Sequence, residues 1–208
     1  MMFATSLSAD NLDISHTTLD IDGVVTESTS YSEVLDLEVN VPEPGGSVLV
    51  ISTFSSKIGQ GAREPGYWRL YDGSSSSLEL SSYQTGTYDK GLVSLVHIFT
   101  GYEAGVKSIQ LQHRAGHKDP LTTYGVNFIG IPLVTSGGSV LNYDLAQMTE
   151  PATVLMNEDP APVMTAQIEL PLLTEDNAMY IATSFNAKMS GDEAVTGTWQ
   201  IEYKLEDS

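Results

Sequence analysis

The chain has 208 residues, no cysteine, and 27 acidic against 9 basic residues, for a formal net charge of −18. This length can bury a real core, and the absence of cysteine excludes disulfides, thiolate metal sites and cysteine nucleophiles. The charge argues against a nucleic-acid partner, which needs clustered Lys and Arg, and 41% hydrophobic content with strong alternation argues against disorder.

The N-terminus, MMFATSLSADNLD, has no basic region and meets Asp10 before any long apolar run, so it is not a complete signal peptide. Residues 1–30 read as an N-terminal extension able to donate a strand. After them, alternation dominates and helical spacing is nearly absent. Val34–Val41 places Leu35, Leu37, Val39 and Val41 on one face. Ser47–Phe54 is β-branched and mostly apolar, as a buried strand should be. Further strands are predicted at Tyr67–Tyr71, Leu78–Leu80, Leu92–Phe99, Val106–His113 and Thr122–Val134. Beyond these come Val140–Leu145, Ala152–Met156, Val163–Leu172, Ala178–Phe185 and Thr198–Leu205. Gly, Pro, Ser, Asn and Asp bound most of them and supply turns. The apolar stretches are of strand length, far short of the roughly 20 residues a spanning helix needs.

Many short strands at this spacing predict an all-β fold, an antiparallel β-sandwich or jelly roll. Ser136-Gly137-Gly138-Ser139 is the clearest linker. It divides a sandwich domain over 31–135 from a second unit over 136–208. A shift of 131 residues lays 34–71 on 165–202 without a gap. Phe54 then falls on Phe185, Lys57 on Lys188, Gly66 on Gly197 and Trp68 on Trp199. Both tryptophans of the chain take part, so the second unit is read as a partial copy of the first. Phe54, Trp68, Phe185 and Trp199 are expected in the core, since an aromatic residue recurring at one strand position more often fills a core than binds a sugar. A partial copy needs completion by the first unit, by residues 1–30 or by a neighbouring subunit.

The runs SYSEVLDLEVNVPEPGGSVLVISTFSS, GYWRLYDG, GLVSLVHIFTGYEAGVKSIQLQHRAG and LTTYGVNFIGIPL, across roughly residues 30–134, resemble a tumour-necrosis-factor-like jelly-roll domain of phage tail, virion-surface and bacterial surface proteins. The strand Gly105–Gln110, with Gln112 beyond, carries much of the likeness. The resemblance implies a structural or adhesive role in a symmetric oligomer, outside the cell or on a virion surface. It brings no catalytic residue.

Charge is uneven along the chain. Residues 1–56 balance at −9, residues 57–118 at +2 and residues 119–208 at −11. The central stretch of one copy therefore suits an acidic surface of the next, with Lys57, Arg63, Arg114 and Lys118 as the expected electrostatic contacts. Asp20-Ile21-Asp22-Gly23 has the opening of a calcium loop without its remaining ligands, which leaves Asp20 and Asp22 as weak calcium positions. The cluster His113–Asp119 reads as a solvated hairpin tip rather than a metal site, because Arg114 and Lys118 disfavour a cation there. No motif for a nucleophilic serine, a zinc hydrolase or a phosphate loop occurs. The expected function is a self-assembling structural subunit of a filament or virion surface, without cofactor or enzyme activity. The alternative is a carbohydrate-binding or adhesive module for a surface glycan, marked by two exposed aromatics beside amide side chains.

Overall fold

A computed structural model describes residues 2–8, 13–59, 65–82, 91–117, 119–133, 143–146 and 177–183. These residues contain β1 (Met2–Ser8), β2 (Ser15–Leu19), β3 (Val24–Thr26), β4 (Ser32–Val41), β5 (Gly46–Ile58) and β6 (Gly66–Tyr71). They continue with β7 (Leu80–Ser82), β8 (Gly91–Tyr102), β9 (Gly105–Ala115), β10 (Leu121–Pro132), β11 (Tyr143–Ala146) and β12 (Asn177–Thr183). Among the described residues there is no helix.

Four antiparallel pairs nest inside one another: β3 with β10, β4 with β9, β5 with β8, and β6 with β7. The pairs β10–β5 and β9–β6 then close this rolled ribbon into two sheets. One sheet runs β2-β10-β5-β8, with β3 on the same edge of β10 as β2; the other runs β4-β9-β6-β7. Nested pairing across two packed sheets is the jelly-roll form of the antiparallel sandwich. β1 lies between β11 and β12 in a separate three-stranded sheet. β12 covers the positions that the 131-residue shift sets on Gly46–Ser52, the first half of β5.

Alternation puts Leu37, Val39 and Val41 of β4 and Ile109 and Leu111 of β9 against Val48, Val50 and Phe54 of β5 and Phe128 of β10. Gly130 on β10 allows this approach, because a Cβ there would strike Val39. β10 is bent where its register with β5 shifts between Tyr124 and Asn127, and Gly125 takes the positive φ of 58° that the irregularity requires.

Trp68 and Phe54 are both buried in this core, with ring centroids 5.5 Å apart. The Trp68 indole N–H donates to Thr123 Oγ1 at 2.9 Å, and His113 Nδ1 lies 2.9 Å from the same oxygen. A polar bridge thus crosses the sandwich from β6 and β9 to β10. Phe185 and Trp199 lie outside the described residues.

Two local readings change. The stretch from His113 is not a solvated tip at its start: β9 runs to Ala115, and His113 is fully buried. The alternation of Ile109, Leu111, His113 and Ala115 carries it inward, so it cannot join the exposed His117. The predicted strand at Leu78–Leu80 begins only at Leu80. The Ser77 hydroxyl and backbone N–H close a turn onto Leu70, which keeps the chain off the ladder until then.

Candidate functional site

The sandwich presents two outer faces of opposite character. On the four-stranded sheet, alternation turns Glu33 and Asp36 of β4, Ser108, Gln110, Gln112 and Arg114 of β9, and Tyr67, Arg69 and Tyr71 of β6 outward. Their side chains close on one another. Arg69 Nε donates to Gln112 Oε1 at 2.9 Å, Gln112 Nε2 to Gln110 Oε1 at 2.8 Å, and Gln110 Nε2 to Glu33 Oε2 at 2.7 Å. Ser108 Oγ donates to Asp36 Oδ1 at 2.5 Å.

Beside this ladder, Arg114 Nη2 pairs with Glu79 Oε2 at 2.9 Å, and the Tyr31 hydroxyl donates to the same carboxylate. The Arg114 guanidinium lies 3.7 Å from the centre of the Tyr67 ring, and that of Arg69 lies 4.0 Å from Tyr31. Burial and the Glu79 carboxylate push the Tyr31 phenol up to about 12. Partial burial works against the Arg114 charge, but Glu79 and Tyr31 together hold its pKa above the ordinary value. Arg114 therefore serves its own sheet before any neighbour.

Next to this face is a groove of about 340 Å³ between Tyr71, Asp72, Tyr102, Lys107 and Gln110. Its polar groups are also engaged internally. Asp72 accepts from the backbone N–H groups of Ser74 and Ser75 and from the Tyr102 hydroxyl, while the Tyr71 hydroxyl donates to Gly73 O. Burial works against ionisation of Asp72, yet these hydrogen bonds together hold its carboxyl below the ordinary value. Burial, then the Asp72 charge, pushes the Tyr102 phenol up.

The five-stranded sheet turns a different set outward. Register aligns Ser55 with Leu92 and Tyr124, and Thr122 with Lys57 and Val25. Leu92 is 80% exposed, Val25 and Lys57 are exposed, and the turn ahead of β3 adds exposed Asp20, Ile21 and Asp22. Among the described residues, this end of the sheet combines bare aliphatic surface with Lys57 and the carboxylates of Asp20 and Asp22. Among the described residues, no group of three or more His, Asp or Glu is placed to hold a metal, and Asp20 and Asp22 have no third partner of that kind.

Of the four cations expected to meet an acidic neighbour, Lys57 and Arg114 lie on opposite faces of the sandwich. Arg63 and Lys118 fall outside the described residues. Sequence reading missed the exposed Leu92, Val25 and Ile21. Their signal was available: each is a large aliphatic at a position that alternation or turn placement sets against the core-facing series.

Comparison with family models finds no match, and neither does comparison with curated proteins. Among solved structures, the chain is similar to a pentameric capsid protein from metagenomic phage sequences at 11% identity and a TM-score of 0.28, covering 61% of this chain and 73% of that one. A second structure of a pentameric capsid protein from metagenomic phage sequences gives 11% identity and 0.27, over 61% and 65%. Dimeric latent PorU from Porphyromonas gingivalis gives 9% identity and 0.40, with 85% of this chain covering 19% of that one. The all-β sandwich thus stands on the chain's own topology.

Proposed function

We propose that this chain is a structural subunit that assembles with copies of itself, as a component of a virion surface or an extracellular filament. The observation that carries the reading is the exposed end of the five-stranded sheet, where the register sets Lys57 of β5 between the exposed Leu92 on one edge strand and the exposed Val25 on the other, with exposed Asp20, Ile21 and Asp22 in the turn ahead of β3. Exposed aliphatic side chains clustered on one face mark an interaction surface. The charge pattern favours a second copy as occupant, because Lys57 of one subunit matches the Asp20 and Asp22 carboxylates of the next.

Magnitudes set the kind of assembly. Full burial of an aliphatic side chain contributes about 1.5–3 kcal/mol, whereas association costs an estimated 4–15 kcal/mol in lost freedom. Three such side chains on each partner make a weak single contact, which becomes stable when symmetry repeats it. A net charge of −18 on each copy opposes the approach. One Lys–Asp pair at a surface contributes only about 0–1 kcal/mol, so the overall repulsion outweighs it at low salt. Screening by salt or by calcium should therefore strengthen assembly.

The sugar-binding alternative would use the groove at Tyr71 and Tyr102 beside the Gln110 amide. The Tyr102 hydroxyl there already donates to Asp72, the Tyr71 hydroxyl to Gly73 O, and the Gln110 amide is bonded to Glu33 and Gln112 of the adjoining face, so the geometry favours assembly. The test is multi-angle light scattering of the full chain across concentration and salt, with negative-stain imaging. Assembly should grow with both and be lost in Leu92→Asp; a monomer under every condition overturns the reading.

A further inference from the structure

The exposed patch occupies only one end of its sheet. At the other end, register aligns Leu49 with Ile98 and Ile131, and Ile51 with Val96 and Ile129. Val48, Val50, Leu95, Phe99 and Phe128 alternate with them and fill the space between the two sheets. The six aliphatic side chains must therefore lie on the outer face. They form one contiguous apolar patch on the three central strands.

Ile51 and Ile129 are half-buried, and the other four are closed to water. Leu49 is 0% exposed, Val96 3%, Ile98 5% and Ile131 7%, while Leu92, outward on the same strand as Val96, is 80% exposed. None of these four belongs to the core cluster between the sheets. The four-stranded sheet covers the inner face and cannot bury them. Their burial arises within a single copy of the chain, so the cover is the chain's own.

We infer that the outer face of the five-stranded sheet carries a third layer, formed by the β11-β1-β12 sheet. The exit point favours it: the Leu133 N–H donates to Ser47 O at 2.7 Å, which starts the outgoing chain at the Leu49 end of the patch. Residues 134–142 then separate it from Tyr143 of β11. Nine residues reach about 30 Å when extended, enough to return over a strand of usual length.

The three-stranded sheet needs such a partner. Its register aligns Phe3 with Leu145 and Ala182 and, at the alternate positions, Met2 with Ala146 and Ala4 with Ile181, so the sheet carries apolar residues at positions of both faces. A small sheet gains stability when an apolar face packs on another layer. This inference does not depend on the assembly reading, which concerns the opposite end of the sheet.

The absence of cysteine makes the test clean. Single variants Ile98→Cys and Leu92→Cys of the full chain are labelled with a thiol reagent under native conditions. Leu92→Cys should react like a free thiol, and Ile98→Cys about a hundredfold or more slowly, as expected for a site that reacts only through local opening. That protection should not change on dilution. Equal rates for the two variants would overturn the third layer, and protection that disappears on dilution would assign the cover to a second copy instead. Should Ile98→Cys lose its cooperative melt, Val96→Cys probes the same face.

Discussion

The outer face of the four-stranded sheet and that of the five-stranded sheet are built from the same alternating pattern and end in opposite states. On the first, Arg69, Gln112, Gln110 and Glu33 form a closed ladder, and Arg114, Glu79 and Tyr31 close beside it. On the second, aliphatic residues run from the covered Leu49 to the bare Leu92. A sheet face finished by its own side chains is complete against water. An aliphatic face needs another layer, and here one end is covered while the other is open. Charged residues are thus a poor guide to where this molecule meets others, since the most conspicuous cation, Arg114, is already paired.

The strongest way to break this contrast is to place a charge at each end of the aliphatic face. Leu49→Asp buries a carboxylate without a partner and should cost about 4 kcal/mol or more, enough to prevent folding in a marginal domain. Leu92→Asp should leave the melting temperature nearly unchanged and remove self-association. Thermal melts and light scattering of both variants separate the two ends; equal destabilisation would show them to be one covered surface.

The seam between the sheets can be tested with acid. Burial holds His113 down to about 4, from an ordinary value of 6.5. Between those values the unfolded chain binds a proton that the folded chain refuses. Stability is therefore fully present above pH 6.5 and falls as pH drops toward 4, by up to roughly 3 kcal/mol from this residue. Denaturant titrations should show that His113→Leu flattens this limb, with the Trp68 N–H still bonded to Thr123. An unchanged acid limb in the variant would place the sensitivity elsewhere.

On the polar face, Arg114→Ala should cost about 1 kcal/mol, because it removes a partly exposed ion pair and a stacking contact with Tyr67. Assembly should be unaffected. Arg114→Lys should recover only part of the stability, since an ammonium cannot reproduce the flat stack. The smallest stability effect belongs to Lys57→Glu, within about 0.5 kcal/mol. Its effect should appear in association instead, as a weaker assembly that needs more salt. If Arg114→Ala disrupted assembly and Lys57→Glu did not, the roles of the two faces would be reversed.

The core strands β4–β6 and β8–β10 were legible because, along most of each, every second residue is apolar and faces the core between the sheets. The apolar run from Val48 to Ile51 also announced a buried strand. Nothing comparable marks β2, Ser15–Leu19, or β3, Val24–Thr26. β2 is mostly polar and β3 is only three residues long, and each is a strand because the edge of β10 offers it backbone partners. The buried bridge of His113, Thr123 and Trp68 was hidden for another reason: histidine beside Arg114 and His117 reads as surface, and only the period-two phase of β9 turns it inward. Charge counts located a basic middle stretch but carried no direction, so they could not show that Lys57 and Arg114 face opposite ways.

The most direct measurement is light scattering with negative-stain imaging of the wild-type full chain beside Leu92→Asp, across concentration and with salt or calcium added. Ordered oligomers or filaments in the wild type that grow with screening, and a folded monomer in the variant, are the expected results. A wild-type chain that stays monomeric throughout, or a variant that assembles equally well, would contradict the claim that the open end of the five-stranded sheet joins one copy to the next.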